Sequence, residues 1–131
     1  MEKKESEIQR EIIAWLKSEE YFFFREYLGP VINHFGSKRV FSKNPNAGLP
    51  DILGLSKTSP SFFFGIEIKS SNGKLSDKQK AKILEIEKAG GYCIATRSLE
   101  DVKQLLKEKE RTYESMFCQN CRDKIKRQLE C

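Results

Sequence analysis

Histidine is almost absent from this sequence of 131 residues, which has one, and cysteine is scarce, with four. The sequence also has no GxSxG segment, no P-loop and no glycine-rich dinucleotide motif. It therefore gives no support for a serine hydrolase, a kinase or a dehydrogenase. The cysteines are too few and too unevenly spaced for a disulfide scaffold. Cys118 and Cys121 supply half of a zinc site at most, because a structural zinc needs four ligands and only Cys131 lies nearby.

Long apolar runs are missing as well. None approaches the roughly 18–20 residues that cross a bilayer, and the first residues, Met1 to Glu5, lack the apolar segment of a secretory signal. We therefore expect an intracellular, cytoplasmic protein without membrane contact. The length is typical of one domain with one hydrophobic core.

Positive charge exceeds negative charge, and the excess lies in the middle of the chain. The sequence has 24 Lys and Arg against 19 Asp and Glu, a net charge of +5. Residues 21–96 hold 11 of the basic and 6 of the acidic residues, so this stretch alone accounts for the excess. A basic balance of this size is mild support for a polyanionic partner such as nucleic acid.

Helical and strand patterns alternate along the chain. Apolar residues at a period of 3.6 predict a first helix over residues 6–18, and Ser6 with Gln9 resembles a capping box at its start. Ser76 predicts a second capped helix and Ser98 a third. Short strands are predicted at residues 51–55, 62–69 and 92–96, with further strands and turns over 21–45. This order predicts an α/β domain.

Two of these strands carry the side chains that could do chemistry. Glu67 and Lys69 alternate along a strand, so both point to one face. An isolated Glu-x-Lys is usually a surface ion pair, but Asp51 begins the preceding strand, 16 positions earlier. If the two strands pair, the two carboxylates cluster and favour a hard cation such as Mg²⁺. With a lysine to orient or deprotonate a water, these parts describe a metal-dependent phosphodiesterase.

The spacing of these residues resembles a known nuclease signature. Pro50-Asp51, fifteen further residues and Glu67-Ile68-Lys69 match the PD-(D/E)xK pattern. Over residues 5–106 the chain resembles the VRR-NUC branch of that superfamily, the small virus-type nuclease module, through these segments: Glu5-Ser-Glu-Ile-Gln9, Gly48-Leu-Pro-Asp51, Ile66-Glu-Ile-Lys-Ser70, Leu75-Ser-Asp-Lys-Gln79 and Ala89-Gly-Gly-Tyr92. The resemblance implies a restriction-endonuclease-like α/β fold, with a mixed central β-sheet flanked by helices.

The resemblance also implies roles for individual residues. Asp51 and Glu67 would bind the metal, Mg²⁺ with Mn²⁺ able to substitute, together with the backbone carbonyl of Ile68. Lys69 would be the catalytic lysine. Gln79 matches a glutamine that the family carries on the helix after Glu-x-Lys and is expected at the active site, although the same residue can also close a capping box.

A glutamate on the first helix is implied to reach the metal or its waters. Glu5, Glu7 and Glu11 compete for this role. Glu5 falls about 60° from Ile8 on a helical wheel, within the apolar arc, and it fits the spacing of the family. Against it, a helix capped by Ser6 would leave Glu5 just outside the first regular turn. We take Glu5 as the catalytic and metal-binding glutamate.

By this resemblance the protein is a Mg²⁺-dependent DNA endonuclease. It is expected to be structure-selective, like a Holliday-junction resolvase, and to act on branched DNA as a homodimer, with a phage or virus as its expected source. Two alternatives stay open. One is a nicking or flap nuclease within a repair or restriction complex, and the other is a non-catalytic DNA-binding module on the same fold.

The remaining expectations concern domain organisation and surfaces. Residues 1–110 are predicted to form the nuclease domain, and residues 111–131 a charged helical extension. The aromatic segment 21–36 and the extension are candidate dimer interfaces. Six basic residues could neutralise phosphates beside the site: Arg25, Lys38, Arg39, Lys43, Lys74 and Lys78.

Overall fold

The computed structural model describes residues 3–26, 31–42, 46–116 and 119–130, and only the backbone of residues 31, 119–122 and 125. Four helices and six strands lie within these ranges. In chain order they are α1 (Glu5–Ser18), β1 (Phe22–Arg25), β2 (Val31–Phe35), β3 (Lys38–Ser42), β4 (Ile52–Leu55), β5 (Phe63–Ile68), α2 (Asp77–Lys88), β6 (Tyr92–Thr96), α3 (Leu99–Ser115) and α4 (Gln119–Glu130).

A four-stranded mixed sheet forms the centre of the fold, with strand order β1-β4-β5-β6. β4 pairs antiparallel with β1 and with β5, whereas β6 lies parallel to β5. The start of β4 therefore lies at the same end of the sheet as the ends of β1, β5 and β6. This arrangement confirms the predicted α/β fold with a mixed central sheet flanked by helices.

The hydrophobic core lies between one face of the sheet and two helices. Ile8, Ile12 and Leu16 recur every four residues on α1, so they share one face of that helix and are buried. The sheet and α3 supply the facing side chains: Ile52, Phe64, Ile66, Ile68, Ile94, Val102 and Leu106. Because side chains alternate along β5, Glu67 points to the opposite face, where α2 lies.

Capping residues were predicted at the starts of three helices, at Ser6, Ser76 and Ser98. The caps at Ser76 and Ser98 are confirmed, since each hydroxyl accepts a backbone amide from the first turn of its own helix. The cap predicted at Ser6 is wrong, because α1 already begins at Glu5, after Lys4, and has no side-chain cap. None of the helices in the described ranges is long and apolar enough to span a membrane.

The chain after residue 110 is mostly helical. α3 runs through this position to Ser115, so the predicted boundary between residues 110 and 111 falls inside a helix. α4 follows over most of the proposed extension. The division into a nuclease domain and an extension stays a prediction. The suggested zinc ligands Cys118 and Cys131, and the side chain of Cys121, lie outside the described residues.

β2 and β3 form a separate two-stranded sheet, which we call the β2–β3 hairpin (residues 31–42). Gly36, at its turn, has a φ of +63°, a backbone conformation that glycine adopts without strain. Every described side chain from residue 32 to residue 42 is exposed. The hairpin is therefore stabilised by its own strand pairing rather than by burial in the core.

Candidate active site

Asp51 is fixed where the start of β4 meets the end of β5. Its Oδ2 accepts the backbone amide of Ile68 at 2.9 Å, beyond the last paired residues of these two strands. On the other side of β4, the backbone amide of Glu26 donates to the carbonyl of Asp51 at 3.3 Å. The residue thus links the central strand to both of its neighbours at this end of the sheet.

Glu67 is the most deeply buried charged residue of the site, with 2% of its surface exposed. Its Oε1 accepts the side-chain amide of Gln79 at 2.9 Å, whereas its Oε2 has no hydrogen-bond partner. Burial and, after it, the charge of Asp51 raise the pKa of Glu67 to about 7, against the opposing effect of Lys69. Near neutral pH this carboxylate can therefore exchange its proton for a cation.

The pKa of Asp51 is raised as well, mainly because the group is removed from water. The backbone amide of Ile68, the ammonium of Lys69 and a hydrogen bond with the carboxyl group of Glu67 oppose this effect without cancelling it. Asp51 and Glu67, which we call the site carboxylates, are therefore both destabilised as anions in the metal-free protein. A divalent cation between them would relieve that destabilisation.

Lys69 lies on the same face of the sheet as Glu67, as the alternation along β5 predicts. Its Nζ is 3.6 Å from the Oε1 of Glu67, and 17% of its side chain is exposed. It also borders a cavity of about 140 Å³ lined by Lys69, Gly73, Leu75, Ala95, Thr96 and Arg97. A charged donor thus faces both the site carboxylates and a space that water can enter.

Gln79 joins the start of α2 to the site. Its Oε1 accepts the amide of Ser76 and closes the capping box, while its Nε2 donates to Glu67. The first turn of α2 packs on the loop before β4, where a side chain at Gly48 would meet the carbonyl of Lys78 at 3.1 Å. Gly48 also has a φ of +96°, so both its backbone and its contact favour glycine. Gln79 is therefore both a cap and a contact of Glu67, and its catalytic role stays a prediction.

Among the three candidate glutamates of α1, Glu5 is the one that the structure brings to the site. Its Oε1 accepts the backbone amide of Ser70 at 2.9 Å, directly after β5. Its charge also helps to raise the pKa of both site carboxylates. Glu11 instead pairs with Lys3 at 2.5 Å, and Glu7, which is exposed as Glu5 is, makes no described hydrogen bond to the site. The structure therefore favours Glu5 by position, and its role toward a metal stays a prediction.

Arg97 was not predicted as a site residue, although it holds the loop that follows β5. Its guanidinium donates to the carbonyl of Ser70 and, at 3.0 Å, to the carbonyl of Gly73. The amide of Ser70 in this loop binds Glu5. The one sequence clue was position, since Arg97 directly follows the strand that lies beside the Glu-x-Lys strand.

The site carboxylates fit a hard divalent cation by their chemistry. Each has a raised pKa, and one buried oxygen lacks a partner. Within residues 3–26, 31–42, 46–116 and 119–130, however, no group of three or more His, Cys, Asp or Glu side chains is arranged to hold a metal. Mg²⁺ needs only one or two protein carboxylates and keeps several waters, so a pair is sufficient. The carbonyl of Ile68 stays a predicted further ligand.

The comparison with known families agrees with this geometry. A family model of the VRR-NUC domain matches residues 3–100. The chain belongs to the VRR-NUC family. Its predicted membership and its restriction-endonuclease-like fold are thereby confirmed, and a nuclease-type domain implies DNA as the substrate. No curated protein and no solved structure matches the chain significantly.

The candidate phosphate-binding residues are divided between two places. Three of them lie at the active-site end of the sheet, at the end of β1 and in or before the first turn of α2: Arg25, Lys74 and Lys78. Lys38 and Arg39 lie on the β2–β3 hairpin. The sixth, Lys43, lies outside the described residues.

Proposed function

We propose that this VRR-NUC protein is a Mg²⁺-dependent deoxyribonuclease that hydrolyses phosphodiester bonds, with Mn²⁺ able to replace Mg²⁺. One observation carries the proposal: Glu67 is buried beside Asp51, and one of its oxygens accepts no hydrogen bond from the donors of the described residues. A buried carboxylate oxygen that lacks a donor is destabilising in the folded protein. A bound cation would supply the missing interaction at the position where a nuclease of this family needs it.

The side chains of the site divide the work of hydrolysis. The site carboxylates would hold Mg²⁺, and the bound ion would supply Lewis-acid activation of the phosphate. Gln79 donates to the Oε1 of Glu67, so the Oε2 would be the oxygen that binds the metal. Lys69 would orient the attacking water and stabilise the negative charge that develops in the transition state. Glu5 would contact the waters of the site, because one of its oxygens is already held by Ser70.

Branched DNA is the substrate that we propose, with a homodimer as the active form. The resemblance to junction resolvases and the net charge of +5 support this choice. A dimer would place two active sites on one branched molecule, so that both strands are cut. Nicking or flap cleavage within a larger complex, and DNA binding without cleavage, remain the alternatives to be separated by experiment.

Cleavage of labelled DNA tests this function. Wild type, Lys69→Ala and the control Lys88→Ala would be incubated with a four-way junction, a flap and a linear duplex, each with Mg²⁺ and with EDTA. Lys88 is an exposed lysine in the last turn of α2, away from the site. We expect paired, symmetric, Mg²⁺-dependent cuts in the junction. Lys69→Ala should slow them by about 10²–10³-fold, the effect of losing one oriented donor, and Lys88→Ala should not.

The other outcomes separate the alternatives. Cleavage of the flap or the linear duplex alone would keep the nuclease and reject junction resolution. Cleavage in EDTA, or an unchanged rate in Lys69→Ala, would contradict the proposed roles of the metal and of the lysine. Binding of DNA without cleavage in either Mg²⁺ or Mn²⁺ would indicate a non-catalytic DNA-binding module.

A further inference from the structure

We propose that the β2–β3 hairpin is a DNA-binding arm that recognises unstacked bases at a branch point beside the active site. The inference rests on the proposed function, because it takes DNA as the ligand. Its basis is a ribbon that carries exposed aromatic rings next to cationic side chains and that lies between Glu26 and Asn46, two residues held at the Asp51 end of the sheet.

The hairpin leaves and re-enters the fold at the active-site end of the sheet. β1, which precedes it, ends at Arg25 opposite Ile52. The next residue, Glu26, donates its amide to the carbonyl of Asp51, and its carboxylate accepts the side-chain amide of Asn46 at 3.0 Å. These bonds join the outgoing and returning segments of the chain at the site carboxylate. A branch point bound by the hairpin would therefore be tethered to the end of the sheet that carries the site carboxylates.

Aromatic and cationic side chains occur together on both faces of the hairpin. Side chains of cross-strand partners share a face of the ribbon. One face carries the pair Ile32 and Phe41 next to the pair His34 and Arg39, and the other face carries the pair Phe35 and Lys38. Residues 31–42 include no acidic residue. The ribbon therefore presents flat apolar surfaces within a positive field.

The exposure of the rings indicates a binding surface. Phe35 and Phe41 are 65% and 63% exposed, although burial of a phenylalanine is strongly favourable. A two-stranded hairpin is only marginally stable by itself, so a partner would stabilise this one. Single-stranded nucleic acid matches the surface, because its bases stack on aromatic rings and its phosphates bind cations. A duplex has few free base faces, whereas a branch point provides them.

A second copy of the chain is a poorer partner for the same surface. A symmetric dimer interface brings identical patches together. Such an interface would bring two copies of Lys38 and Arg39 together, with no acidic residue of either hairpin to neutralise them. Charge complementarity therefore selects a polyanion.

Binding measured in EDTA separates recognition from cleavage. The whole chain would be compared as wild type, as the double variant Phe35→Ala/Phe41→Ala and as the control Leu84→Ala, which removes a side chain that is 56% exposed on α2. The ligands are a labelled junction with unpaired bases at its centre and a linear duplex of equal length. We expect the double variant to bind the junction at least about tenfold more weakly, as when a base loses its stacking partner. Its duplex affinity should stay within about twofold, which also shows that the variant is folded.

The cation on the hairpin has a different expected effect. Arg39→Ala should weaken binding to both DNAs. It should also reduce the slope of log affinity against log salt concentration by about one, the effect of losing one phosphate contact. Arg111→Ala, which removes an exposed arginine on α3, is its control and should leave that dependence unchanged.

Three results would overturn the arm. Unchanged junction affinity in the double variant, or an equal loss for junction and duplex, would reject branch recognition and leave the nuclease proposal standing. A wild-type dimer that becomes a monomer in the double variant, measured by sedimentation, would assign the hairpin to a second copy. Conversely, if wild type cuts no DNA but the double variant still loses junction binding, the arm is supported and the nuclease proposal fails.

Discussion

Glu67 and Glu110 are both buried, and they lie at opposite ends of the central sheet. Glu110, on α3, accepts the hydroxyl of Tyr21 with one oxygen and the backbone amide of Lys57 with the other, at 2.8 Å. Tyr21 precedes β1 and Lys57 follows β4, so this carboxylate joins α3 to two strands. Glu67 has a donor for one oxygen, none for the other, and Asp51 as a neighbour.

The difference is the one expected between a carboxylate that stabilises the fold and one that binds a ligand, the role that we propose for Glu67. Donors at both oxygens stabilise the buried carboxylate of Glu110. Burial and the hydrogen bond to Glu110 raise the pKa of Tyr21, so its hydroxyl keeps its proton and remains a donor. At Glu67, burial and like charge act in the same direction, and the unmet oxygen keeps a position open for a ligand. The donors that surround a buried acid are thus more informative than its burial.

Among the substitutions that test this comparison, Glu67→Gln should change the cleavage rate the most. Glutamine keeps an acceptor for Gln79 and replaces the unmet oxygen by a donor near Asp51. We expect Mg²⁺-dependent cleavage to fall by about 10³-fold or more, while the free energy of unfolding at pH 8 rises. Single-turnover cleavage and urea unfolding in EDTA measure the two quantities. A variant that is both inactive and less stable would contradict the assignment of Glu67 to a ligand rather than to the fold.

The pH dependence of stability sharpens the same contrast. The pKa of Glu67 is about 7 in the folded protein, above its ordinary value of 4.5, so the folded state binds this proton more tightly than the unfolded chain does. The resulting stabilisation is complete below pH 4.5 and is lost as the pH rises through about 7. In EDTA, the free energy of unfolding of wild type should therefore fall by about 2–3 kcal/mol more than that of Glu67→Gln over this range. Parallel pH profiles for the two proteins would refute the shift.

The substitution Tyr21→Phe acts on the other member of the pair. It removes one donor from Glu110 and leaves the ring in place, so we expect the free energy of unfolding to fall by about 1–3 kcal/mol. Cleavage per folded molecule, measured well below the melting temperature, should stay at the wild-type rate. Reduced cleavage at full stability would mean that the Glu110 end of the sheet also serves function.

Arg97→Ala is expected to have the smallest effect, because Arg97 is a positioning residue. It acts through the loop of Ser70, which holds Glu5, and does not contact the site carboxylates in any described bond. We expect kcat to fall by about tenfold with KM for DNA unchanged. Arg97→Lys should restore little, since an ammonium cannot donate to two carbonyls as a fork. Full rescue by lysine would indicate that charge alone matters there.

The positions of Asp51, Glu67 and Lys69 on β4 and β5 could be predicted because strand geometry is local and periodic. Alternation along β5 fixes that Glu67 and Lys69 share a face, and a short connection makes β4 and β5 neighbours, which brings Asp51 to them. The capping box of Ser76 and Gln79 is likewise a pattern of four consecutive residues. For these features, the number of residues between two side chains is enough to predict that they lie close together in the fold.

The remaining contacts depend on tertiary structure. The bond from Gln79 to Glu67 spans two elements, so the capping pattern gave no sign of it. The predicted cap at Ser6 is wrong because the carbonyl of Lys4 already accepts the amides of Glu7 and Ile8, so the helix begins at Glu5. Arg97 binds main-chain carbonyls, which every residue has, so no sequence pattern marks its partners.

The hydrogen bonds of Asp51 have a consequence for recognising inactive members of such a family. Its carboxylate extends the pairing of β4 with β5, and its carbonyl extends the pairing of β4 with β1. In an inactive descendant the carboxylate would still join β4 to β5 through the amide of Ile68, which is a physical reason to keep an aspartate here. Glu67 accepts a bond from Gln79 as well, but without a metal its second oxygen has no donor to offset the cost of burial. Its replacement by an uncharged residue would therefore be the earlier and clearer mark of lost activity.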